Sequence, residues 1–449
     1  MARSSVAIIG RPNVGKSTLF NRLVGARIAI EDSTSGTTRD RILHPMEHEG
    51  RCFDLIDTGG IGIVDRQDLS VDVEQQIAYA IEEASVIVFL TDVRDGLTPL
   101  DREVADRLRR AGKPIILGSN KVDASHYEDA VNEFHALGFG DPLPLSGKNN
   151  VGIAELLDRI LEVLPPTEPE PAYDAEVLKI AFVGKRNAGK SSIVNALAGA
   201  KRVIVSDKPG TTRDSVDILF THEDGRRFVA IDTAGMRKRG KGDDPIEFYG
   251  QLRSERAIGR ADVVALMIDA SEPISKVDKR IGDLIVESYR PCILVINKWD
   301  LALAQDRNIT LDAYHKYLVE HMPGLAFAPI VATTATTGFN VWNLIDVAQD
   351  LAGQARRHVT TGQLNRALQE AYEKQRPPLF KGRMFRIYYG TQAEVNPPTI
   401  IVFCNHPGLA SDQYTRYMAG QLRKTLGFDE VPVRIWYRSS HPKDGEAES

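Results

Sequence analysis

Residues 8–17 read Ile8-Ile9-Gly10-Arg11-Pro12-Asn13-Val14-Gly15-Lys16-Ser17, and residues 182–191 repeat the pattern as Phe182-Val183-Gly184-Lys185-Arg186-Asn187-Ala188-Gly189-Lys190-Ser191. In each, an apolar run with the character of a buried strand enters Gly-x4-Gly-Lys-Ser, and a helical pattern follows. Glycines at these places let backbone N–H groups converge on oxyanions beside a helix N-terminus, so the segment is a phosphate cradle. Lys16 and Lys190 would reach the β- and γ-phosphates of a nucleotide, and Ser17 and Ser191 would offer a hydroxyl to Mg²⁺. Strand, phosphate loop and helix in this order open an α/β fold. Their recurrence makes the search for further repeats the next step.

Three more motifs recur. Gly36-Thr37-Thr38-Arg39-Asp40 returns at 210–214, Asp57-Thr58-Gly59-Gly60 as Asp232-Thr233-Ala234-Gly235, and Asn120-Lys121-Val122-Asp123 as Asn297-Lys298-Trp299-Asp300. Their offsets of 174, 175 and 177 match the 174 of the phosphate loop, so a whole domain is duplicated. Near-continuous apolar runs at 86–92 and 114–120, with counterparts at 263–269 and 292–297, alternate with helical patterns. Strands of that kind are buried on both faces by crossover helices, which predicts mostly parallel, doubly wound sheets.

Between the copies, residues 165–176 hold four prolines and four acidic residues with no basic one, a composition for an extended linker. The expected plan is a first nucleotide domain over 1–164, a linker over 165–176, a second nucleotide domain over 177–351, a small α+β domain over 352–438 and a polar tail over 439–449. In the α+β part Thr361 caps a helix with Leu364, Ala367, Leu368, Ala371 and Tyr372 on one stripe. Strand-like segments 383–390 and 399–406, a second helix with Tyr414, Tyr417, Met418, Leu422 and Leu426 on one face, and a strand over 431–438 complete the order α-β-β-α-β.

Composition narrows the class. With 42% hydrophobic and 26% charged residues, the 449-residue chain resembles ordinary globular proteins. None of its apolar runs approaches the roughly 18 residues of a membrane span. The N-terminus enters its first strand without an apolar leader, so a cytoplasmic protein is expected. Cys52, Cys292 and Cys404 lie far apart and read as core thiols. From residue 351 onward 14 Lys+Arg stand against 9 Asp+Glu, a local +5 in a chain of net −5. A basic module on an acidic body points to a polyanionic partner, although a solvated charged face explains it equally well.

The remaining motifs choose the nucleotide and its metal. Thr38 and Thr212 lie 21 residues after Ser17 and Ser191, in polar stretches suited to a switch loop. The second threonine of each pair is the preferred Mg²⁺ ligand and γ-phosphate sensor. Asp57 and Asp232 end apolar strands, which puts a carboxylate near Mg²⁺, and Gly60 and Gly235 leave an N–H for the γ-phosphate. Asn120, Lys121 and Asp123, with Asn297, Lys298 and Asp300, follow buried strands at the edge where nucleotides dock. A carboxylate only accepts, and guanine offers two adjacent donors where adenine does not, so Asp123 and Asp300 select GTP over ATP. By position Ser146, and Thr334 with Ala335, are expected at the guanine O6. Ile61 and Met236 occupy the position where Ras-like proteins keep a water-orienting glutamine, so hydrolysis needs another arrangement.

Taken together these motifs resemble the bacterial Der (EngA) family, GTPases with two G domains followed by a KH-like domain. The resemblance covers nearly the whole chain and includes Asn396-Pro397-Pro398 and the Tyr-rich helix before the last strand. It implies two P-loop GTPase domains and a KH-like module, GTP and GDP as ligands with Mg²⁺, and a role in assembling the large ribosomal subunit in contact with its rRNA. It also implies a bound K⁺ in place of an arginine finger, with Asn13 and Asn187 as its ligands and Ile61 and Met236 as the accompanying apolar residues. A monomer without membrane attachment is expected. The C-terminal module has no Gly-x-x-Gly loop for clamping a nucleic-acid backbone, so RNA contact and packing against a G domain both stand as readings of it. The alternative function is a nucleotide-gated RNA-binding module in which hydrolysis only resets binding.

Overall fold

The computed structural model describes residues 4–25, 43–56, 80–81, 84–124, 127, 129–165, 177–199, 203–209, 216–231, 247–377 and 384–439. Two compact units, Met1–Glu170 and Pro171–Ser449, divide the chain.

In the first unit the elements run β1 (Ser4–Ile9), α1 (Lys16–Gly25), β2 (Leu43–His48), β3 (Arg51–Ile56), β4 (Val86–Asp92), α2 (Pro99–Ala111), β5 (Ile115–Asn120), β6 (Leu143–Pro144) and α3 (Ile153–Val163). The sheet order is β2-β3-β1-β4-β5-β6. Only β2 runs antiparallel, to β3, among the pairings of this sheet. Every residue of β4 is buried, which is why its sequence shows no alternation. A capping box fixes the start of α2: the Thr98 side chain accepts from Asp101 N–H while Asp101 accepts from the Thr98 N–H. Parallel order brings the carboxyl ends of β1, β4 and β5 to one edge of the sheet, at Ile9, Asp92 and Asn120.

The second unit repeats this plan with β7 (Leu178–Val183), α4 (Lys190–Ala198), β8 (Val203–Pro209), β9 (Val216–His222), β10 (Arg227–Ile231), α5 (Glu247–Arg260), β11 (Val263–Asp269), α6 (Lys276–Ser288), β12 (Cys292–Asn297), α7 (Trp299–Gln305), α8 (Leu311–His321), β13 (Ile330–Ala332) and α9 (Val341–Ala355). Its order is β13-β12-β11-β7-β10-β9-β8, so an antiparallel ribbon of β8, β9 and β10 extends one side of a parallel core.

The same unit continues into α10 (Thr361–Lys374), β14 (Ile387–Glu394), β15 (Thr399–Cys404), α11 (Asp412–Leu426) and β16 (Arg434–Ser439). In this sheet β14 pairs antiparallel and β16 parallel to β15. Several boundaries differ from expectation, among them the end of β15, which stops at Cys404 where a strand to 406 is expected. Thr360, not Thr361, caps α10, because its side chain reaches the N–H of Gln363, which answers as the other half of a capping box. The strand expected from 383 begins at Ile387 and runs to Glu394, and β16 includes Ser439, which pairs with Cys404.

The C-terminal module packs against the second G domain, one of the two readings of it. Leu344, Ile345, Ala348 and Leu351 of α9 belong to one buried cluster with Leu364 and Leu368 of α10, Phe385, and Met418 and Leu422 of α11. A polar seam frames it. Asn396 N–H donates to the Ala355 carbonyl at 3.0 Å, its side-chain amide donates to Asp262 at 3.1 Å, and Arg423 lies over the Phe327 ring at 4.1 Å. The three cysteines are free, and burial pushes the Cys292 thiol up to about 12. No helix among the described residues is long and apolar enough to cross a membrane.

Candidate nucleotide sites

Both phosphate loops fold alike. Asn13 and Asn187 adopt left-handed φ of 64° and 63°, and Gly15 and Gly189 follow at 94° and 95°. Asparagine is among the residues that tolerate this region, and glycine enters it freely. A Cβ on either glycine would also overlap a side-chain amide, that of Asn120 or Asn297. In the second copy Gly189 is the N-cap of α4 and has no side chain to cap with, so the first-turn N–H groups of that helix are open to an anion.

Val14 and Ala188 are buried between the glycines, while Asn13 and Asn187 are exposed. Lys16 donates to the Arg11 carbonyl at 2.8 Å, and Lys190 donates to the carbonyls of Gly184 and Lys185 at 2.7 Å each. These are bonds a phosphate oxygen can replace. Burial pulls the Lys190 ammonium down to about 8, with the charge of Asp278 acting in the opposite direction. Gly10, Pro12, Ser17 and their counterparts Gly184, Arg186 and Ser191 complete the two loops. Thr38, Asp57, Thr58, Gly59, Gly60, Ile61, Thr212, Asp232, Thr233, Ala234, Gly235 and Met236 lie outside the described residues.

The base-side motifs are stapled to the loops. Asn120, 3% exposed, donates to the Val14 carbonyl at 2.8 Å and accepts from Gly147 N–H at 3.2 Å. Asn297, 1% exposed, donates to the Ala188 carbonyl at 2.9 Å and accepts from Ala335 N–H at 3.3 Å. One buried amide in each copy therefore ties the phosphate loop to the loop after the last strand of the sheet, and removing it would leave two buried backbone groups unsatisfied. Lys121 and Lys298 sit at φ of 69° and 58° and pair with Asp92 and Asp269 at the ends of β4 and β11. Lys121 also donates to the Asn13 carbonyl at 2.8 Å. Burial raises the Asp269 carboxyl, yet hydrogen bonds from Lys298 and Ser271 outweigh it and hold the group below its usual value. Val122 and Trp299 are buried spacers that leave the aspartate after them at the rim.

The two aspartates differ. Asp123 accepts from the Ser146 hydroxyl at 2.6 Å, from the Asn149 amide at 3.4 Å and from the Arg94 guanidinium. Ser146 is fully buried, so its hydroxyl aims the carboxylate from behind. Asp300 is exposed, and among the described residues no hydrogen bond joins it to Thr334, the counterpart of Ser146. The sequence reading missed Arg94, Asp92 and Asp269. The last two share the 177-residue offset of the Asn-Lys-x-Asp motifs, so aligning the two copies beyond the recognised motifs would have found them.

Comparison with known proteins agrees with this geometry. The profile of a family described as "50S ribosome-binding GTPase" matches residues 5–121 and again 179–298, and one described as "KH-domain-like of EngA bacterial GTPase enzymes, C-terminal" matches 358–438. A GTPase Der from Rhodopirellula baltica is 43% identical over 99% of this chain and 97% of its own. One from Geobacillus thermodenitrificans is 44% identical over 97% of this chain and 99% of its own. Among solved structures, Era from Aquifex aeolicus, crystallised with GDP and AlF4⁻, is 25% identical over 57% of this chain and 87% of its own, with a TM-score of 0.31. Two stapled phosphate loops in tandem, a C-terminal KH-like domain and full-length similarity at this level lead to one assignment: the chain belongs to the Der family of GTPases.

Proposed function

We propose that each G domain binds GTP and hydrolyses it to GDP and phosphate, and that the nucleotide state of the pair governs attachment to the large ribosomal subunit during its assembly. The observation that carries the reading is the repeated staple, in which a buried asparagine ties the phosphate loop to the loop after the last strand of its domain. Backbone N–H groups of the loops and of the following helix grip the phosphates, Lys16 and Lys190 exchange their loop carbonyls for phosphate oxygens, and Asp123 and Asp300 read the base. Mg²⁺ would be held by Ser17, Thr38 and Asp57 in the first site and by Ser191, Thr212 and Asp232 in the second. The exposed hydroxyl of Ser17 and the hard oxygen donor set fit that ion. Bound there, it supplies charge to stabilise the β- and γ-oxygens.

A K⁺ ion in each site would serve where an arginine finger serves elsewhere, with Asn13 and Asn187 contributing their side-chain oxygens. Both side chains are exposed on the left-handed turn of the loop, which fits that use. The description of the matched family as ribosome-binding and the +5 balance after residue 351 support an rRNA-rich partner. A cytoplasmic monomer fits such a partner. Co-sedimentation with large subunits in a non-hydrolysable GTP analogue tests the reading. The unmutated protein should pellet with the particle and release as salt rises, while Lys16→Ala and Lys190→Ala should each lose attachment if both sites must hold GTP. Equal binding by either variant would leave one domain in sole control.

A further inference from the structure

The second residue of each phosphate loop is a cation, and the two side chains run to the starts of α2, which follows β4, and of α6, which follows β11. Arg11 donates to Asp95 at 2.7 Å, and its Nε lies 3.4 Å from Asp101 Oδ1. Lys185 pairs with Glu272 at 2.7 Å and lies 3.8 Å from Asp278 Oδ2, the carboxylate oxygen nearer to it. Asp101 and Asp278 are both 0% exposed, and each is the third helical residue of a capping box. The cap uses only one oxygen. Asp101 Oδ2 accepts from Thr98 N–H at 3.0 Å and its hydroxyl at 2.7 Å, and Asp278 Oδ2 accepts from Ser275 N–H at 2.9 Å and its hydroxyl at 2.7 Å.

The other oxygen, Oδ1, is buried in both residues and has no hydrogen-bond partner among the described residues. A neutral side chain can make a capping box, and a buried carboxylate is costly unless a cation answers it. In both copies the answering cation is the loop residue whose own carbonyl accepts from the phosphate-gripping lysine: Arg11 from Lys16 and Lys185 from Lys190. The two aspartates are 177 residues apart, the offset of the Asn-Lys-x-Asp motifs, so the arrangement is present twice.

We propose that Asp101 and Asp278 are positioning residues for the two phosphate sites, each anchoring the second residue of its loop so that the loop carbonyl and the lysine it parks are held ready for phosphate. The proposal rests on reading the loops as phosphate sites, which the loss of binding in Lys16→Ala and Lys190→Ala tests separately. The full-length protein is used with one site silenced, Lys190→Ala when the first is read and Lys16→Ala when the second is read, and fluorescent GDP is titrated. Asp101→Asn keeps an oxygen for the Thr98 bonds but removes the charge facing Arg11, and is expected to weaken GDP about 5- to 30-fold.

Arg11→Gln should do the same, and the double variant should lose little more than either single change. Arg11→Lys, the cation the second copy uses, should stay within about threefold. Preference for GTP over XTP should be unchanged throughout, because the base side is untouched. If Asp101→Asn lowers the melting temperature but leaves GDP affinity within about twofold, or if the losses simply add, the aspartate is only a cap and the proposal is wrong. Should Asp101→Asn fail to fold, Arg11→Gln with Arg11→Lys, and the corresponding Lys185→Gln and Lys185→Arg, decide the matter by the same criteria.

Discussion

The two nucleotide sites agree where the backbone does the recognising and diverge where side chains do. Their phosphate loops share φ values within a degree at the asparagine and at the second glycine, although Arg-Pro in one has become Lys-Arg in the other. On the base side the resemblance loosens. Asp123 is held by Ser146, Asn149 and Arg94, whereas Asp300 stands exposed and Ser271, in the place of Arg94, donates instead to Asp269. A phosphate cradle built from N–H groups tolerates changes in side chains but not in dihedrals. The carboxylate proposed to read the base is presented differently in the two copies.

The largest effect expected from breaking the shared half is at Gly15→Ala and Gly189→Ala. A Cβ there costs roughly 1–2 kcal/mol in the left-handed region and also displaces the asparagine staple. Each variant should bind one fluorescent GDP per chain where the unmutated protein binds two. A variant that still binds two would show the staple to be dispensable. Next comes the cation: replacing K⁺ by Na⁺ at constant ionic strength should slow GTP hydrolysis, by up to about 10²-fold if K⁺ does the work of one preorganised donor. Asn13→Ala or Asn187→Ala should blunt the response of its own site. Equal rates in the two salts, with each site read alone, would remove K⁺ from the account.

On the base side, Asp123→Asn and Asp300→Asn should move preference from GTP toward XTP by about 10- to 100-fold, since an amide donates to the C2 carbonyl of xanthine. Competition binding with one site silenced measures it, and a site that keeps its preference for GTP does not use that residue to read the base. The smallest effect tests the difference between the copies directly. The Arg94–Asp123 pair is partly exposed, with side chains 47% and 18% accessible, so it is worth little on its own. Arg94→Ser and Ser271→Arg should change GDP affinity by only about two- to fivefold, in opposite directions at the two sites. Changes in the same direction would mean that the two base sides are not simply versions of one another.

The phosphate loops and the Asn-Lys-x-Asp motifs could be read from the sequence because their geometry demands particular residues: a glycine at Gly15, where only a missing side chain leaves room for Asn120, and an amide at 120 with both a donor and an acceptor to place. The strands beside them were equally plain, since burial on both faces leaves an unbroken apolar run such as Val86–Asp92. What escaped were contacts between segments far apart that no local pattern encodes. Arg11 and Asp95 are separated by 84 positions, and neither residue type is unusual where it stands. The bond from the Ser146 hydroxyl to Asp123 is another such contact, across 23 positions. The helix cap was placed one residue late since Thr360 and Thr361 are both competent, and only Thr360 has Gln363 at the right spacing for a reciprocal bond.

Helix α9 belongs to two domains at once, sharing one buried cluster with both, and its C-terminal turn is bonded to the module: the Ala355 carbonyl accepts from Asn396 N–H and the Gln354 amide donates to Glu430. Partial digestion should therefore not free the KH-like module as a soluble fragment, because a cut near residue 356 would strip the cover from Leu351, Ala352 and Ala355 on one side and from Val359 and Leu364 on the other. The same feature sets what recombination can do with the gene. The second nucleotide domain and the module can be inherited or exchanged together, as a single cassette.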